Sequence, residues 1–278
     1  MVKITTLIEN RADENSFLYN EHGLSLFIEN DDINIIFDMG QSGKFIDNAN
    51  KLNVDLKHVD YVILSHGHYD HSGGFTSFIN DGNNSFELII SDKFFNNKYS
   101  YKEKSYRYIG NSFDKKYLQD SNISVNYINE DMYYISDNII VISNFIRKTN
   151  FEILNDRFFV KSDSSFEIDT FLDEISVAIK LKEGLLVILG CSHVGVVNIL
   201  ETLIERTNEP IYGIVGGTHL IEADESRLNE TINYFKEKDI KLIGVSHCTG
   251  EKSIERLKYE FKDRFLYNNT GNVIEISY

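Results

Sequence analysis

The stretch Ser65-His66-Gly67-His68-Tyr69-Asp70-His71-Ser72-Gly73-Gly74 carries three imidazoles and one carboxylate within six positions. It follows an apolar run, Tyr61-Val62-Ile63-Leu64, that reads as a buried strand. Side chains at i and i+2 of an extended backbone lie on one side, so His66 and His68 can grip one ion together. The chain must then turn, which aims Asp70 and His71 at a second ion. Gly67, Gly73 and Gly74 permit the tight backbone of such a loop. A histidine-rich surface loop is the competing reading, and four ligand-type side chains at this spacing beyond a strand end argue against it.

One loop cannot complete two coordination shells, so further ligands must come from elsewhere. His193 lies in Gly190-Cys191-Ser192-His193-Val194-Gly195, His219 in Gly216-Gly217-Thr218-His219, and His247 in Val245-Ser246-His247-Cys248-Thr249-Gly250. Each repeats one grammar: apolar strand, glycine or small residues, histidine, helix. In α/β folds the carboxyl ends of parallel strands form a rim where sites gather. His193 and His247 are therefore expected as ligands. His219 and His22 are candidates for substrate contact or proton transfer, weighed against a structural role. His58, in a polar stretch, is expected to be structural. Cys191 and Cys248 are weighed between small buried hydrophobes and, for Cys191, a metal-facing role; a disulfide between them is not expected in a reducing compartment.

The elements that must position these groups fall into two similar halves. Strand-like runs at Ile4–Ile8, Leu24–Ile28 and Ile33–Phe37 precede a helix near Lys44–Leu52, the strand before the histidine loop, a helix at Gly74–Ile79 and a strand at Glu87–Ile90. The second half opens with strands Ser176–Leu181 and Leu185–Leu189 around the turn Lys182-Glu183-Gly184. It then alternates strands at 211–215, 242–245 and 272–276 with helices at 196–206, 226–238 and 252–261. Two sheets between helices are expected. Residues 93–170 form a less regular insert. Lys93–Tyr117 holds seven basic and two acidic residues, a local +5, together with five tyrosines. A solvated helical face explains this stretch; so does a lid that offers cations and rings to an anionic substrate.

Composition narrows the function. The chain has 278 residues, 42% of them hydrophobic, with 19 Phe and 16 Tyr, which is ample for a globular core. Its net charge of −15 argues against nucleic acid and anionic membrane as partners. No apolar run approaches the roughly 18 residues of a membrane span, and the N-terminus carries no secretory signal, so a cytoplasmic protein is expected. A single proline and the lack of a linker suggest one domain over 1–278.

The His-x-His-x-Asp-His loop at a strand end resembles the signature of the metallo-β-lactamase-fold superfamily. Glu21-His22-Gly23-Leu24-Ser25, Phe37-Asp38-Met39-Gly40, Gly190-Cys191-Ser192-His193, Gly216-Gly217-Thr218-His219-Leu220 and His247-Cys248-Thr249-Gly250 are similar to a subgroup of it. That subgroup includes the archaeal-type dihydropterin ribofuranosylaminobenzene phosphate synthases. The resemblance implies an α/β fold, a four-layer αβ/βα sandwich with two mixed sheets. It implies two divalent ions, zinc first, with iron or manganese as alternatives. His66, His68 and His193 would hold one ion, Asp70, His71 and His247 the other, and Asp38 would support the loop from beneath. Where most superfamily hydrolases have a bridging Gly-Asp, this chain has Gly190-Cys191. The superfamily's third histidine precedes the hairpin, which makes Glu174 an alternative ligand.

Three functions follow. The first is a hydrolase of a small anionic phosphoester or ester. Paired ions would lower the pKa of water to about 7, with Asp70 and His219 as the catalytic groups and His22 as an alternative proton carrier. The second, implied by the subgroup, is a transferase that joins a dihydropterin diphosphate to an aminobenzene ribofuranosyl phosphate. In it Tyr106, Lys102 and Arg107, with His22, would contact the substrate. The third is a non-catalytic metal-binding domain. The tyrosine-rich insert also offers a surface for a homodimer.

Overall fold

The computed structural model describes residues 1–13, 16–163 and 165–277. The strands in chain order are β1 (Val2–Ile8), β2 (Ser25–Asn30), β3 (Ile33–Phe37), β4 (Tyr61–Ile63), β5 (Glu87–Ser91) and β6 (Lys98–Lys102). There follow β7 (Ser105–Tyr108), β8 (Ser124–Ile128), β9 (Met132–Ser136), β10 (Ile139–Ile142), β11 (Phe158–Lys161) and β12 (Phe166–Ile168). The remainder are β13 (Ser176–Leu181), β14 (Gly184–Leu189), β15 (Ile211–Gly216), β16 (Leu242–Val245), β17 (Phe265–Tyr267) and β18 (Val273–Ile276). The helices are α1 (Lys44–Lys51), α2 (Tyr69–Ser72), α3 (Phe75–Asn80), α4 (Lys115–Asp120), α5 (Val196–Thr207), α6 (Glu225–Glu237) and α7 (Glu251–Phe261). The chain divides into two compact units, Met1–Ile128 with Asn155–Asp173 and Asn269–Tyr278, and Asn129–Leu154 with Glu174–Asn268.

In the first unit a seven-stranded mixed sheet runs β18-β1-β2-β3-β4-β5-β8. The edge from β18 to β3 is antiparallel, and β3, β4, β5 and β8 are parallel. Strands covered on both faces are near-continuous apolar runs, and Leu88-Ile89-Ile90 of β5 is wholly buried. Phe45 and Ala49 of α1 and Phe75 and Phe78 of α3 pack onto Ile36, Val62, Leu88 and Ile90, so the helices close one face of this sheet.

The second unit holds another seven-stranded mixed sheet, β17-β16-β15-β14-β13-β10-β9. Here β14 to β17 are parallel and β9, β10 and β13 complete the antiparallel side. Every residue of β14 is buried. Helix α5 buries Val196, Val197, Ile199, Leu200 and Leu203, the face its apolar spacing predicts. The halves thus match the expectation of two mixed sheets with helices.

The segment 93–170 departs from expectation, because it is not one irregular insert. Its pieces go to three sheets: β8 extends the first, β9 and β10 the second, and β12-β11-β6-β7 form a separate four-stranded antiparallel sheet in the first unit. The stretch expected as a helical face is instead the β6–β7 hairpin, with a helix only at α4. Tyr99 and Tyr101 alternate with Lys98, Ser100 and Lys102, a period-2 pattern that suits a strand.

Gly195, at the start of α5, shows how a local backbone conformation is imposed. Its φ is 103°, and a Cβ there would lie 2.3 Å from Oε2 of Glu152. That carboxylate, buried in the same unit, accepts the N–H groups of Val197 at 2.9 Å and Asn198 at 2.7 Å, two donors a helix start leaves unsatisfied. Gly195→Ala is expected to destabilise the protein by about 2–3 kcal/mol, since it meets both the backbone conformation and the capping carboxylate. Chemical denaturation of the two proteins measures this directly.

Candidate metal centre

The first unit builds the histidine loop where β3 and β4 end side by side. Asp38 follows β3 with φ 60°, and its N–H donates to the Ile63 carbonyl at 2.9 Å. Its carboxylate accepts the N–H of Ser65 at 2.7 Å and the Ser65 hydroxyl at 2.7 Å, and lies 2.6 Å from Nδ1 of His71. A carboxylate on Nδ1 fixes the imidazole's tautomer and orientation and leaves Nε2 for an ion. His66 is held by Ser65 Oγ at 2.9 Å from Nδ1, and its Nε2 faces Nδ1 of His68 at 3.0 Å. The His66 ring centroid lies 4.5 Å from that of His68 and 4.3 Å from that of His71. Asp70 Oδ2 is 3.1 Å from His22 Nε2 and 3.9 Å from His71 Nε2.

Burial, then the neighbouring His71, His68 and Lys98, holds the His66 pKa well below its ordinary value. The ring is therefore neutral at physiological pH, the form that ligates metals. Three imidazoles and a carboxylate converging from one loop fit a transition-series divalent ion.

A buried ionic network holds this loop from behind. The Gly67 N–H donates to Oδ2 of Asp173 at 2.8 Å. Oδ1 of Asp173 and Oδ2 of Asp169 bind the Lys98 ammonium at 2.7 and 2.6 Å. Burial disfavours the Lys98 cation, but Asp173 and Asp169 outweigh it and raise its pKa. A Cβ on Gly67 would lie 2.3 Å from the Phe94 carbonyl, so this position admits only glycine without the loop shifting. Asn111 bridges the same carbonyl, at 2.9 Å, to the Ser72 hydroxyl, at 2.7 Å. Composition groups Lys98 with the solvated cations of the insert, but its side chain is 1% exposed and is part of this network.

In the second unit the parallel strands β14, β15 and β16 end on one rim and deliver His193, His219 and His247 there. All three are buried, and the rings of His193 and His219 lie 4.3 Å apart. Ser192, His219 and His247 have φ of 61°, 46° and 54°, left-handed conformations that non-glycine residues adopt at a cost and that cluster at functional sites. Glu174 accepts the N–H groups of His193 at 2.8 Å and Val194 at 2.9 Å, so its carboxylate shapes the His193 loop. Ligand atoms of Cys191, His247 and Cys248 lie within 4.8 Å of one another.

Of the substrate candidates, Tyr106, Lys102 and Arg107 sit on the β6–β7 hairpin of the first unit and are exposed. Tyr106 stacks on Phe166 with centroids 3.7 Å apart. Burial and Asp70 push the Tyr69 phenol up, while the charge of Arg107 opposes them, which brings Arg107 within electrostatic reach of the histidine loop. His22 is half-exposed beside Asp70. His58 is remote from these groups in role: it is exposed and its Nδ1 lies 2.7 Å from Asp55.

Comparison with known proteins places this geometry. Residues 18–125 match the model of the metallo-β-lactamase superfamily. A 7,8-dihydropterin-6-methyl-4-(β-D-ribofuranosyl)-aminobenzene-5'-phosphate synthase of Methanocaldococcus jannaschii is 30% identical, over 99% of this chain and 96% of its own length. The chain belongs to the metallo-β-lactamase superfamily. An uncharacterized protein of the same archaeon is 32% identical over 99% of this chain and all of its own. Among solved structures Tm1679, described as a metal-dependent hydrolase of the β-lactamase superfamily, superposes with a TM-score of 0.86 at 29% identity, covering both chains fully. The fold is thus the α/β fold of this superfamily. Among the described residues, no helix is long and apolar enough to cross a membrane.

Sequence reasoning missed the groups that carry no metal-ligand signature: Lys98, Asp169 and Asp173, the Asn111 bridge, and Glu152 at the start of α5; Glu174, named as an alternative ligand, accepts the His193 and Val194 N–H groups. Asp169 and Asp173 flanking Phe171 were a weak signal, acidic residues among apolar ones. Asp38→Asn is expected to lower metal affinity 10- to 100-fold, because an amide on Nδ1 no longer anchors His71 as a carboxylate does. Metal titration against a competing chelator reads the change.

Proposed function

We propose that the protein is a metal-dependent transferase that joins a dihydropterin diphosphate to an aminobenzene ribofuranosyl phosphate with loss of diphosphate. The observation that carries this reading is the identity to the archaeal synthase over nearly the whole of both chains. His66, His68 and His193 are assigned to one ion and Asp70, His71 and His247 to the other, with zinc as the preferred metal. Bound divalent ions supply charge neutralisation to diphosphate oxygens. The chain's own residues do the rest. The C–N bond forms between the aromatic amine and the pterin methylene carbon as the C–O bond to diphosphate breaks, and His219 or His22 takes the amine proton. Arg107 and Lys102 meet anionic groups, and Tyr106, already stacked on Phe166, offers a ring to a flat substrate.

A hydrolase of small phosphoesters or esters is the second reading, favoured by the description of Tm1679. The two separate in one assay. Metal-loaded protein is given the pterin diphosphate with and without the amine, and bis-p-nitrophenyl phosphate in parallel. Diphosphate release that requires the amine is the expected result. Ester turnover without any amine-dependent release would replace the transferase with the hydrolase, and no turnover with any metal would leave a metal-binding domain. We further propose a cytoplasmic setting, where both thiols stay reduced, and no nucleic-acid or membrane partner for so acidic a chain. The tyrosine-rich insert is the proposed surface for a homodimer.

A further inference from the structure

The second unit contains two thiols that neither proposed reaction uses. Cys191 follows β14 and Cys248 follows β16, yet the parallel pairing of β14, β15 and β16 brings them to one rim. Cys191 Sγ, Cys248 Sγ and a ring nitrogen of His247 lie mutually within 4.8 Å, and all three residues are buried. From the strand ends we infer that Cys191 and Cys248 supply thiolate ligands to the ion that His247 holds. This makes it a site for a thiophilic divalent ion such as zinc, over magnesium or manganese. The inference rests on the reading of His247 as a ligand and adds the sulfur donors to it.

Three arguments carry it. First, zinc–sulfur and zinc–nitrogen bonds of about 2.3 and 2.0 Å set tetrahedral ligands roughly 3.5–3.8 Å apart, so atoms that lie within 4.8 Å of one another need to close by at most about 1.3 Å. Second, the position of Cys248 is built. Its Sγ accepts the His219 N–H at 3.3 Å, and a Cβ on Gly217 would come within 2.5 Å of it. Among the described residues neither cysteine is in a disulfide. Third, the two cysteines already touch, since the Cys248 thiol donates to the Cys191 carbonyl at 3.3 Å. Each thiol releases its proton to solvent as its sulfur–metal bond forms. Thiolate donors select zinc-like ions and disfavour hard ones, which take oxygen.

The test uses the whole protein, stripped with chelator and titrated anaerobically with cobalt(II). A near-ultraviolet thiolate-to-cobalt charge-transfer band is expected. It should fall about twofold in Cys191→Ser and in Cys248→Ser and vanish in the double variant, while zinc abolishes it and a large excess of magnesium does not. X-ray absorption at the zinc edge of the unaltered protein tests the same point without a variant: a sulfur shell near 2.3 Å is expected. Cobalt or zinc uptake with no charge-transfer band and only nitrogen and oxygen neighbours would overturn the sulfur ligands and leave the metal reading standing. No stoichiometric uptake at all would overturn both.

Discussion

Replacing His68 with alanine is expected to lower turnover by about three orders of magnitude, equivalent to about 4 kcal/mol of lost transition-state stabilisation, and to reduce the bound metal. His68 is a sharp place to test the centre, because its Nδ1 faces His66 Nε2 at 3.0 Å and its ring is set against Phe158 and Phe171 at 5.6 and 5.9 Å. Loss of this imidazole removes one arm of the pair that the i, i+2 spacing aims at a single ion. Metal analysis of the purified variant, alongside steady-state rates, reads both effects. His58→Ala is the control, an exposed imidazole bonded only to the neighbouring turn in its described contacts, and it should keep both metal and rate. Retention of full metal content and rate in His68→Ala would remove the histidine loop from the chemistry.

Lys98→Met is expected to cost about 3–5 kcal/mol of stability, or a fall in Tm of about 10 °C. The ammonium is the cation shared by Asp169 and Asp173, and all three side chains are almost wholly buried. Removing it strands two carboxylates in a low-dielectric interior, which is more costly than the loss of the pair itself. Combining Lys98→Met with Asp169→Asn and Asp173→Asn should recover much of the loss, since no uncompensated charge is then left behind. Because Asp173 also takes the Gly67 N–H, the single variant should loosen the histidine loop as well as the core. Thermal and denaturant unfolding of the two variants decide the matter; equal losses in both would mean that charge compensation is not what Lys98 contributes.

What was legible in the amino-acid order was local. A strand followed by small residues and a histidine can be recognised from a dozen consecutive positions, and His66, His193, His219 and His247 all stand at such strand ends in the structure. The same holds for the β13–β14 hairpin and the apolar stripe of α5, where pairing or packing partners are close in sequence or periodic. What was not legible depends on distant partners. Lys98 has the composition of a surface cation, and only its pairing with residues 71 and 75 positions away buries it. Glu152 gives no sign of capping a helix that begins 44 positions later, at Val196. The segment 93–170 looked irregular because its strands are short and each joins a sheet assembled from elsewhere in the chain.

The pairing of β18 with β1 has a bearing on synthesis. Val2–Thr5 bond to Val273–Ile276, and Thr270 Oγ1 takes the Glu9 N–H at 2.8 Å. During translation one side of β1 therefore waits for β18, which is made more than 260 positions later. A nascent polypeptide in which β18 has not yet been made presents an unpaired sheet margin, Val2 and Ile4 included, to any neighbouring chain. The first sheet can be sealed on that side only once β18 has emerged from the ribosome.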